Sequence, residues 1–139
     1  MFQQILAPVD LAHLDKLERA LELTAAEAKH HDAPVTYVSV SASGPTSLAD
    51  KPEQFQSMLA EFAAQQGKRH GIDANSLALI TNDPTTEVDD ELLKAVEDTG
   101  ADLVVMASHK PGLIDYFWPS NGGKIASHSA ASVFLVRDE

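Results

Sequence analysis

Two short segments of the sequence combine residue types that could bind a phosphorylated ligand. The first is Pro8-Val9-Asp10, which follows a short apolar run. The Asp10 carboxylate could accept a hydrogen bond from a ribose hydroxyl or from the edge of a base. The second segment begins at Ala107-Ser108-His109-Lys110, where Lys110 supplies a full positive charge. Together the two segments favour a site for an anionic ligand with polar edges.

The second segment continues through a loop to Pro119-Ser120-Asn121-Gly122-Gly123, which opens the last predicted helix. Free N–H groups in the first turn of a helix, with the helix dipole behind them, attract anions. Ser120 adds a hydroxyl donor, and the small residues allow a phosphate to approach the backbone. The same pattern is also typical of an ordinary loop and helix cap. The residues alone leave both interpretations open.

Five apolar segments alternate with four stretches of helical periodicity, and this alternation predicts where both segments lie. The predicted strands cover residues 2–9, 35–40, 77–81, 103–107 and 133–136, and the helices cover residues 11–30, a stretch around 55–62, a stretch around 88–96 and residues 121–131. The order predicts a single doubly wound α/β domain over residues 1–139, with a five-stranded, mainly parallel sheet and helices on both faces. Ligands of such folds bind beyond the carboxyl ends of strands, where the strand order reverses.

The composition and charge of the chain exclude several classes of partner and of binding site. The chain has 139 residues, with 21 acidic against 10 basic side chains and a net charge of −11, so we expect no nucleic-acid partner. It contains no cysteine, which excludes disulfides and thiolate metal sites. No signal peptide and no membrane-spanning run is evident, so we expect a cytoplasmic protein without membrane insertion.

The spacing of the histidines does not match a metal-binding motif, and the residues around Ser108 do not match a motif for a catalytic serine. His30 and His31 are neighbours at a helix end and point in different directions, and we expect His13, His70 and His128 to be isolated and exposed. Ser108 lacks the Gly-x-Ser-x-Gly context of a nucleophile elbow. We therefore predict no catalytic residues and no metal ligands, and of the histidines we expect only His109 to contact a ligand.

Four stretches in order along the chain are similar to the universal stress protein (Usp) family. They are residues 5–10 (Ile-Leu-Ala-Pro-Val-Asp), 35–40, 101–109 and 132–137. Within that family, Ala107-Ser108-His109-Lys110-Pro111 and Pro119-Ser120-Asn121 resemble the UspF-like branch. The resemblance implies the Usp, or adenine nucleotide α-hydrolase-like, fold.

The resemblance also implies a nucleotide-binding regulatory switch in stress response, with ATP and Mg²⁺ as the ligand and at most a slow ATPase activity. It places Pro8, Val9, Asp10 and Val40 on the adenine side, with Met106 lining the base pocket. The residues that it places near the ribose and phosphates are Ala107, His109, Lys110, Ser120, Asn121 and Gly122.

Departures from the family pattern support a different hypothesis, in which the nucleotide site is degraded. Ala107, Lys110, Pro119 and Thr86 stand at positions where the general ATP-binding pattern has glycine, and acidic residues follow Thr86. Proline lacks an N–H donor, and carboxylates near a triphosphate are unfavourable unless Mg²⁺ bridges them. On this hypothesis the chain is a homodimeric interaction module without a nucleotide.

The last predicted strand suggests how two copies would associate. The strand from Val133 to Val136 is apolar and lies at an edge, and such an edge must be covered or paired. The resemblance implies a homodimer with two-fold symmetry through this strand. The aromatic group Tyr116-Phe117-Trp118 either packs inside the subunit or contributes to an interface.

Overall fold

The computed structural model describes residues 1–46, 48–108 and 122–137. The strands are β1 (Ile5–Pro8), β2 (Val35–Ala42), β3 (Ala74–Thr81), β4 (Leu103–Ala107) and β5 (Ser132–Val136). A 3₁₀ helix (Leu11–Lys16) precedes the helices α1 (Glu18–His31), α2 (Pro52–His70), α3 (Pro84–Thr99) and α4 (Gly122–His128). The strands form one sheet in which every pairing is parallel. The predicted α/β class and the number of strands are confirmed.

The strand order is β3-β2-β1-β4-β5, so β1 lies in the middle of the sheet. The chain moves outward from β1 to β3, returns across the sheet to β4, and then continues to β5. Right-handed crossovers place α1 and α2 on one face and α3 and α4 on the other. The order reverses between β1 and β4, and the carboxyl ends of these strands therefore mark the expected ligand crevice.

The core is concentrated in the interior strands. Every residue of β1 and β4 is buried, and Ile5 and Leu6 have no exposed surface. A strand covered by helices on both faces must be apolar on both faces, which explains the continuous apolar sequence of β4. β4 is an interior strand, and the middle position belongs to β1.

The predicted helix over residues 11–30 is wrong in one respect, because the backbone breaks near Leu17. The Asp10 carboxylate accepts a hydrogen bond from the Ala12 N–H at 3.0 Å and starts a 3₁₀ helix. His13 then has φ −136° and ψ 44°, outside the helical region, and Leu17 has φ −108° and ψ 1°. Apolar periodicity continues through this region, but the break keeps residues 10–12 beside the carboxyl ends of the strands.

Asp102 joins β1 and β4 at their amino ends, opposite the ligand crevice. Its carboxylate accepts hydrogen bonds from the backbone N–H groups of Gln3 and Gln4 at 3.0–3.1 Å. Burial pushes the pKa of Asp102 upward, but these backbone donors outweigh that effect and hold the pKa below its ordinary value. The amino ends of β1 and β4 are therefore held together on the side away from the crevice.

None of the helices in the described ranges has the length and apolar content needed to cross a membrane.

Candidate functional site

A cavity of about 240 Å³ opens at the carboxyl ends of β1 and β2. The 3₁₀ helix forms one wall, the loop after β2 forms another, and the beginning of α2 closes the end. Its lining residues are Asp10, Leu11, Ala12, Ser39, Val40, Ser41, Ala42, Pro45, Thr46, Leu48 and Phe55. The volume is slightly below the range of about 300–1,000 Å³ that is typical of small-molecule sites. The cavity suits one part of a nucleotide, such as the base, rather than the whole molecule.

Asp10 is held from two sides at the mouth of this cavity. One carboxylate oxygen accepts a hydrogen bond from the Ala12 N–H at 3.0 Å, and the other lies 3.0 Å from Nδ1 of His13. The Asp10 side chain is only 12% exposed. Each carboxylate oxygen has two lone pairs, so Asp10 retains acceptor capacity for a ligand. Its orientation is fixed before any ligand arrives.

The contact with His13 corrects the prediction that His13 is isolated and exposed. His13 is half-buried, with 32% of its side chain exposed, and it forms part of the support of Asp10. The non-helical backbone at His13 accompanies this contact. His70 is also half-buried rather than exposed, and burial together with the nearby Arg69 lowers its pKa. His128 is exposed, as predicted, and its Nδ1 lies 3.0 Å from the Lys124 carbonyl oxygen.

Two serine hydroxyls on β2 give the cavity its hydrogen-bonding groups. Ser39 and Ser41 are 5% and 4% exposed, and both line the cavity. Neither side chain forms a hydrogen bond within the parts of the chain that the structure describes. Buried hydroxyl groups are normally paired. These two hydroxyls are therefore available to the polar edge of a ligand.

The loop after β2 supplies the remaining wall. The Thr46 hydroxyl oxygen accepts hydrogen bonds from the N–H groups of Leu48 and Ala49 at 3.2 Å, which fixes a tight turn. Leu48 and Phe55 add apolar surface to the cavity. Apolar surface beside serine hydroxyls and a carboxylate matches an aromatic base with polar edges.

The structure brings only some of the predicted site residues together. Asp10 and Val40 line the cavity. Pro8 and Val9 lead into it from β1 and are buried. The Val9 N–H donates to the Val38 carbonyl oxygen at 2.8 Å, which continues the pairing of β1 with β2 up to the cavity.

Met106 and Ala107 lie at the end of β4, and both are buried. They do not line the cavity beside β2. The pairing of β1 with β4 stops at Leu6 and Val104, whereas β1 pairs with β2 up to Pro8. Met106 and Ala107 therefore belong to the part of the crevice where the strand order reverses.

The predicted phosphate-binding residues mostly lie outside the described residues. This applies to His109, Lys110, Ser120 and Asn121, and also to Pro119 at a family glycine position. Gly122 is the first residue of α4. The Thr86 side chain is likewise outside what the structure describes.

The acidic residues near the start of α3 do not line the cavity. The Thr81 hydroxyl donates a hydrogen bond to the Glu87 carboxylate. Asp90 lies 3.6 Å from the Lys124 ammonium group, and Asp89 is buried. Glu87 and Asp90 therefore have partners outside the cavity. In the described ranges, no cluster of three or more histidine and acidic side chains is arranged to hold a metal ion.

Sequence reasoning missed the contribution of β2 and its loop. The sequence pattern does not single out Ser39, Ser41, Thr46 or Leu48 as site residues, and Phe55 is a buried apolar residue that also lines the cavity. One signal was available, because a loop rich in serine, glycine and proline follows β2 at the same edge of the sheet as Asp10.

Comparison with protein families gives one match, described as the universal stress protein family, over residues 1–137. Solved structures with the same fold include a universal stress protein from Archaeoglobus fulgidus. It is 19% identical, covers 97% of this chain and 98% of its own, and has a TM-score of 0.70.

Two further solved structures with the same fold are nucleotide complexes. One is the universal stress protein from Archaeoglobus fulgidus in complex with dAMP, with 19% identity, 96% coverage of both chains and a TM-score of 0.66. The other is a family protein from Arabidopsis thaliana with AMP bound, with 16% identity, coverage of 97% and 90%, and a TM-score of 0.61. At these identities the likeness shows a shared fold.

Proposed function

The chain belongs to the universal stress protein family, and from this premise we propose that its crevice binds an adenine nucleotide and that the bound nucleotide controls the protein as a switch in a stress response. The supporting observation is the cavity beside β1 and β2. It combines the Asp10 carboxylate with the buried residues Ser39 and Ser41, each of which carries a hydroxyl group. Structures of relatives with AMP and dAMP add support, since they share the fold.

The base occupies the cavity between the 3₁₀ helix and the loop after β2. Leu48 and Phe55 contact its faces, while Asp10 and the two serines accept or donate hydrogen bonds at its edges. The ribose and phosphates extend toward the carboxyl end of β4 and the beginning of α4. The predicted contacts there are Met106, Ala107, His109, Lys110, Ser120, Asn121 and Gly122.

ATP with Mg²⁺ is the form of the ligand that we propose, and Lys110 is the cation that would meet its phosphates. The same hypothesis includes three further points. The chain belongs to the UspF-like branch, it forms a single domain over residues 1–139, and it is located in the cytoplasm. The protein acts by binding, and we propose no catalytic residue.

A second candidate function is a dimeric interaction module without a nucleotide. The observation that favours it is the edge strand β5, where Phe134 and Leu135 are 39% and 42% exposed. Exposed apolar residues on an edge strand favour pairing with a second chain. A two-fold homodimer through Val133 to Val136 is compatible with either function.

Thermal unfolding with AMP, ATP with Mg²⁺, or GTP with Mg²⁺ tests the first function against the second. A ligand at 100 times its Kd stabilises the fold by about 2.7 kcal/mol. For a domain of this size the melting temperature should rise by roughly 8 °C. Adenine nucleotides should give this increase and GTP should not. No increase at millimolar AMP or ATP contradicts nucleotide binding and favours the interaction module.

A variant and a matched control locate the site. Ser41→Ala removes a hydroxyl that lines the cavity and should weaken nucleotide binding by roughly two- to tenfold. Ser76→Ala removes an exposed hydroxyl on β3 that does not line the cavity and should leave the affinity unchanged. Equal affinities of the two variants would place the nucleotide elsewhere.

A further inference from the structure

Arg137 is a basic side chain at the ligand edge of the sheet that is not part of the nucleotide site described above. It directly follows β5 and is exposed. Because β5 runs parallel to β4, with Val136 opposite Ala107, Arg137 leaves the sheet beside the carboxyl end of β4. Asp10 follows β1 at the same edge. Arg137 and the base cavity therefore belong to the same side of the molecule.

Two hydrogen bonds hold the end of β5 against the residue that follows β4. Nη1 of Arg137 donates to the Ser108 hydroxyl oxygen at 3.0 Å. The Ser108 N–H donates to the Val136 carbonyl oxygen at 2.8 Å, which continues the pairing of the two strands by one residue. The guanidinium group therefore reaches from the edge strand to the end of β4, where the strand order reverses.

The guanidinium group keeps most of its hydrogen-bonding capacity in this arrangement. It carries five N–H donors, and the Ser108 hydroxyl accepts a hydrogen bond from one of them. That hydroxyl retains its own hydrogen as a donor. In the described ranges no carboxylate forms an ion pair with Arg137, whereas the Lys124 ammonium group lies 3.6 Å from Asp90. The Arg137–Ser108 pair could therefore donate several hydrogen bonds to an anion.

The position of this pair across the sheet indicates which phosphate it would meet. The base cavity lies beside β1 and β2, and β4 and β5 come next in the sheet. Neighbouring strands are about 4.8 Å apart, so the pair lies roughly 10–14 Å from the end of β2. The phosphate of AMP stays close to the ribose, whereas the second and third phosphates of ADP and ATP extend across this distance. The planar guanidinium fork suits phosphate oxygens, to which it donates two parallel hydrogen bonds.

We propose that Arg137, together with the Ser108 hydroxyl, binds the second or third phosphate of the nucleotide and makes the crevice prefer ADP and ATP over AMP. This inference rests on the proposed function and adds a residue that sets the preference for the length of the phosphate chain. The family resemblance implies Lys110 as the cation at the phosphates, whereas Arg137 is assigned from its contact with Ser108.

Isothermal titration with adenosine, AMP, ADP and ATP at constant ionic strength tests the proposal. Arg137→Gln removes the charge and keeps a polar side chain. It should leave the affinities for adenosine and AMP within about twofold of wild type and weaken ADP and ATP binding by roughly five- to twentyfold. Arg69→Gln is the control, because it removes the same charge from an exposed position in the last turn of α2, which lies at the amino ends of the strands. Its affinity for each ligand should be unchanged.

Two further measurements separate direct contact from positioning through Ser108. Ser108→Ala removes the hydroxyl and leaves the Arg137 charge, so ATP binding should weaken by only about two- to threefold. In phosphorus NMR of bound ATP, Arg137→Gln should shift the β- or γ-phosphorus signal more than the α signal. Circular dichroism confirms that each variant is folded.

Three outcomes would overturn this inference and leave the proposed function standing. Equal weakening of adenosine and ATP binding by Arg137→Gln would mean that the arginine supports the fold of the site rather than a phosphate. Equal weakening of ATP binding by Arg137→Gln and Arg69→Gln would reduce the effect to the overall charge. A full loss reproduced by Ser108→Ala would make Arg137 a positioning residue only. Failure of the wild type to bind any of the four ligands would overturn the proposed function together with the inference.

Discussion

The carboxylate of Asp10 is positioned by its own chain rather than by a ligand. The Ala12 N–H and the His13 ring hold its two oxygens at 3.0 Å each. A group that is ordered in advance loses less conformational entropy on binding, which strengthens the complex. His13 thus acts as a positioning residue for the proposed nucleotide site.

If nucleotide binding is established, His13→Ala should weaken adenine nucleotide binding by about fivefold, since a partly exposed hydrogen bond to a carboxylate contributes about 1 kcal/mol. His13→Asn retains an N–H donor near the position of Nδ1 and should restore most of the affinity. In an Asp10→Asn background the effect of His13→Ala should disappear. Isothermal titration measures the wild type and all four variants, and a persistent effect in that background would show that His13 acts by another route.

Tyr37 gives a prediction about alkaline stability. Burial raises the pKa of Tyr37 to about 12, from an ordinary value of 10. Below pH 10 the Tyr37 side chain is neutral in both the folded and the unfolded state, and its contribution to the free energy of unfolding is fully present. Between about pH 10 and 12 only the unfolded state ionises, so up to about 2–3 kcal/mol of stability is lost.

Tyr37→Phe should therefore lose less stability than the wild type between pH 10 and 12 in urea unfolding. At pH 7 it should be equal or up to about 1 kcal/mol more stable, because it removes a buried hydroxyl that has no hydrogen-bond partner among the described residues. Parallel curves for the two proteins above pH 10 would show that Tyr37 is not responsible for the loss.

These residues also show what the sequence could and could not predict. Asp10 follows a buried strand at the ligand edge of an α/β sheet, so its place in the site follows from the order of elements. Its contact with His13 depends on a local backbone break that periodicity does not reveal. Ser39 and Ser41 alternate with Val38 and Val40 along a strand, and only the packing around β2 shows that the two serines line a cavity.

Among the elements, α3 ends at a glycine. Gly100 is its C-cap with φ +70°, and its N–H donates to the carbonyl oxygens of Glu97 and Val96. A residue with a Cβ is strained in this left-handed conformation, whereas glycine is not. The bounds of α1 were harder to predict, because its apolar spacing continues through the break at Leu17.

Gly100→Ala should reduce the free energy of unfolding by about 1 kcal/mol, through strain at positive φ. Gly44→Ala is the control, since Gly44 has no positive φ and a Cβ there would meet no atom within 4 Å. That variant should be unchanged or slightly more stable. Chemical denaturation compares the free energies of unfolding of the two variants. Equal values would show that α3 can end without a glycine at position 100.

At the scale of the whole molecule, the α/β class and the parallel sheet followed from the sequence more securely than the site did. Alternating strands and helices permit few topologies once crossovers are right-handed, and the apolar sequence of β4 required an interior place. The site depends on loops, whose conformations are set by individual turns such as that at Thr46.

The two edges of the sheet differ, and this difference predicts how copies associate. Leu135 on β5 is 42% exposed, whereas the exposed residues of β3 include the polar Asn75 and Ser76. If β5 forms the proposed homodimer, Leu135→Lys should yield a monomer in sedimentation velocity at micromolar concentration. Ser76→Lys adds the same charge to the other edge and should leave the dimer intact. A wild-type monomer would contradict the proposed dimer.

The middle position of β1 also has a consequence for synthesis. Of these five strands β1 leaves the ribosome before the others, but its second neighbour, β4, begins at Leu103, which is 98 residues after Ile5. Until then the nascent chain can form only β1, β2 and β3, with an apolar edge unpaired along Ile5 and Leu6. Such an edge attracts other chains, and closing so long a loop is entropically costly. The chain is therefore most prone to aggregate during translation just before residues 103–107 emerge.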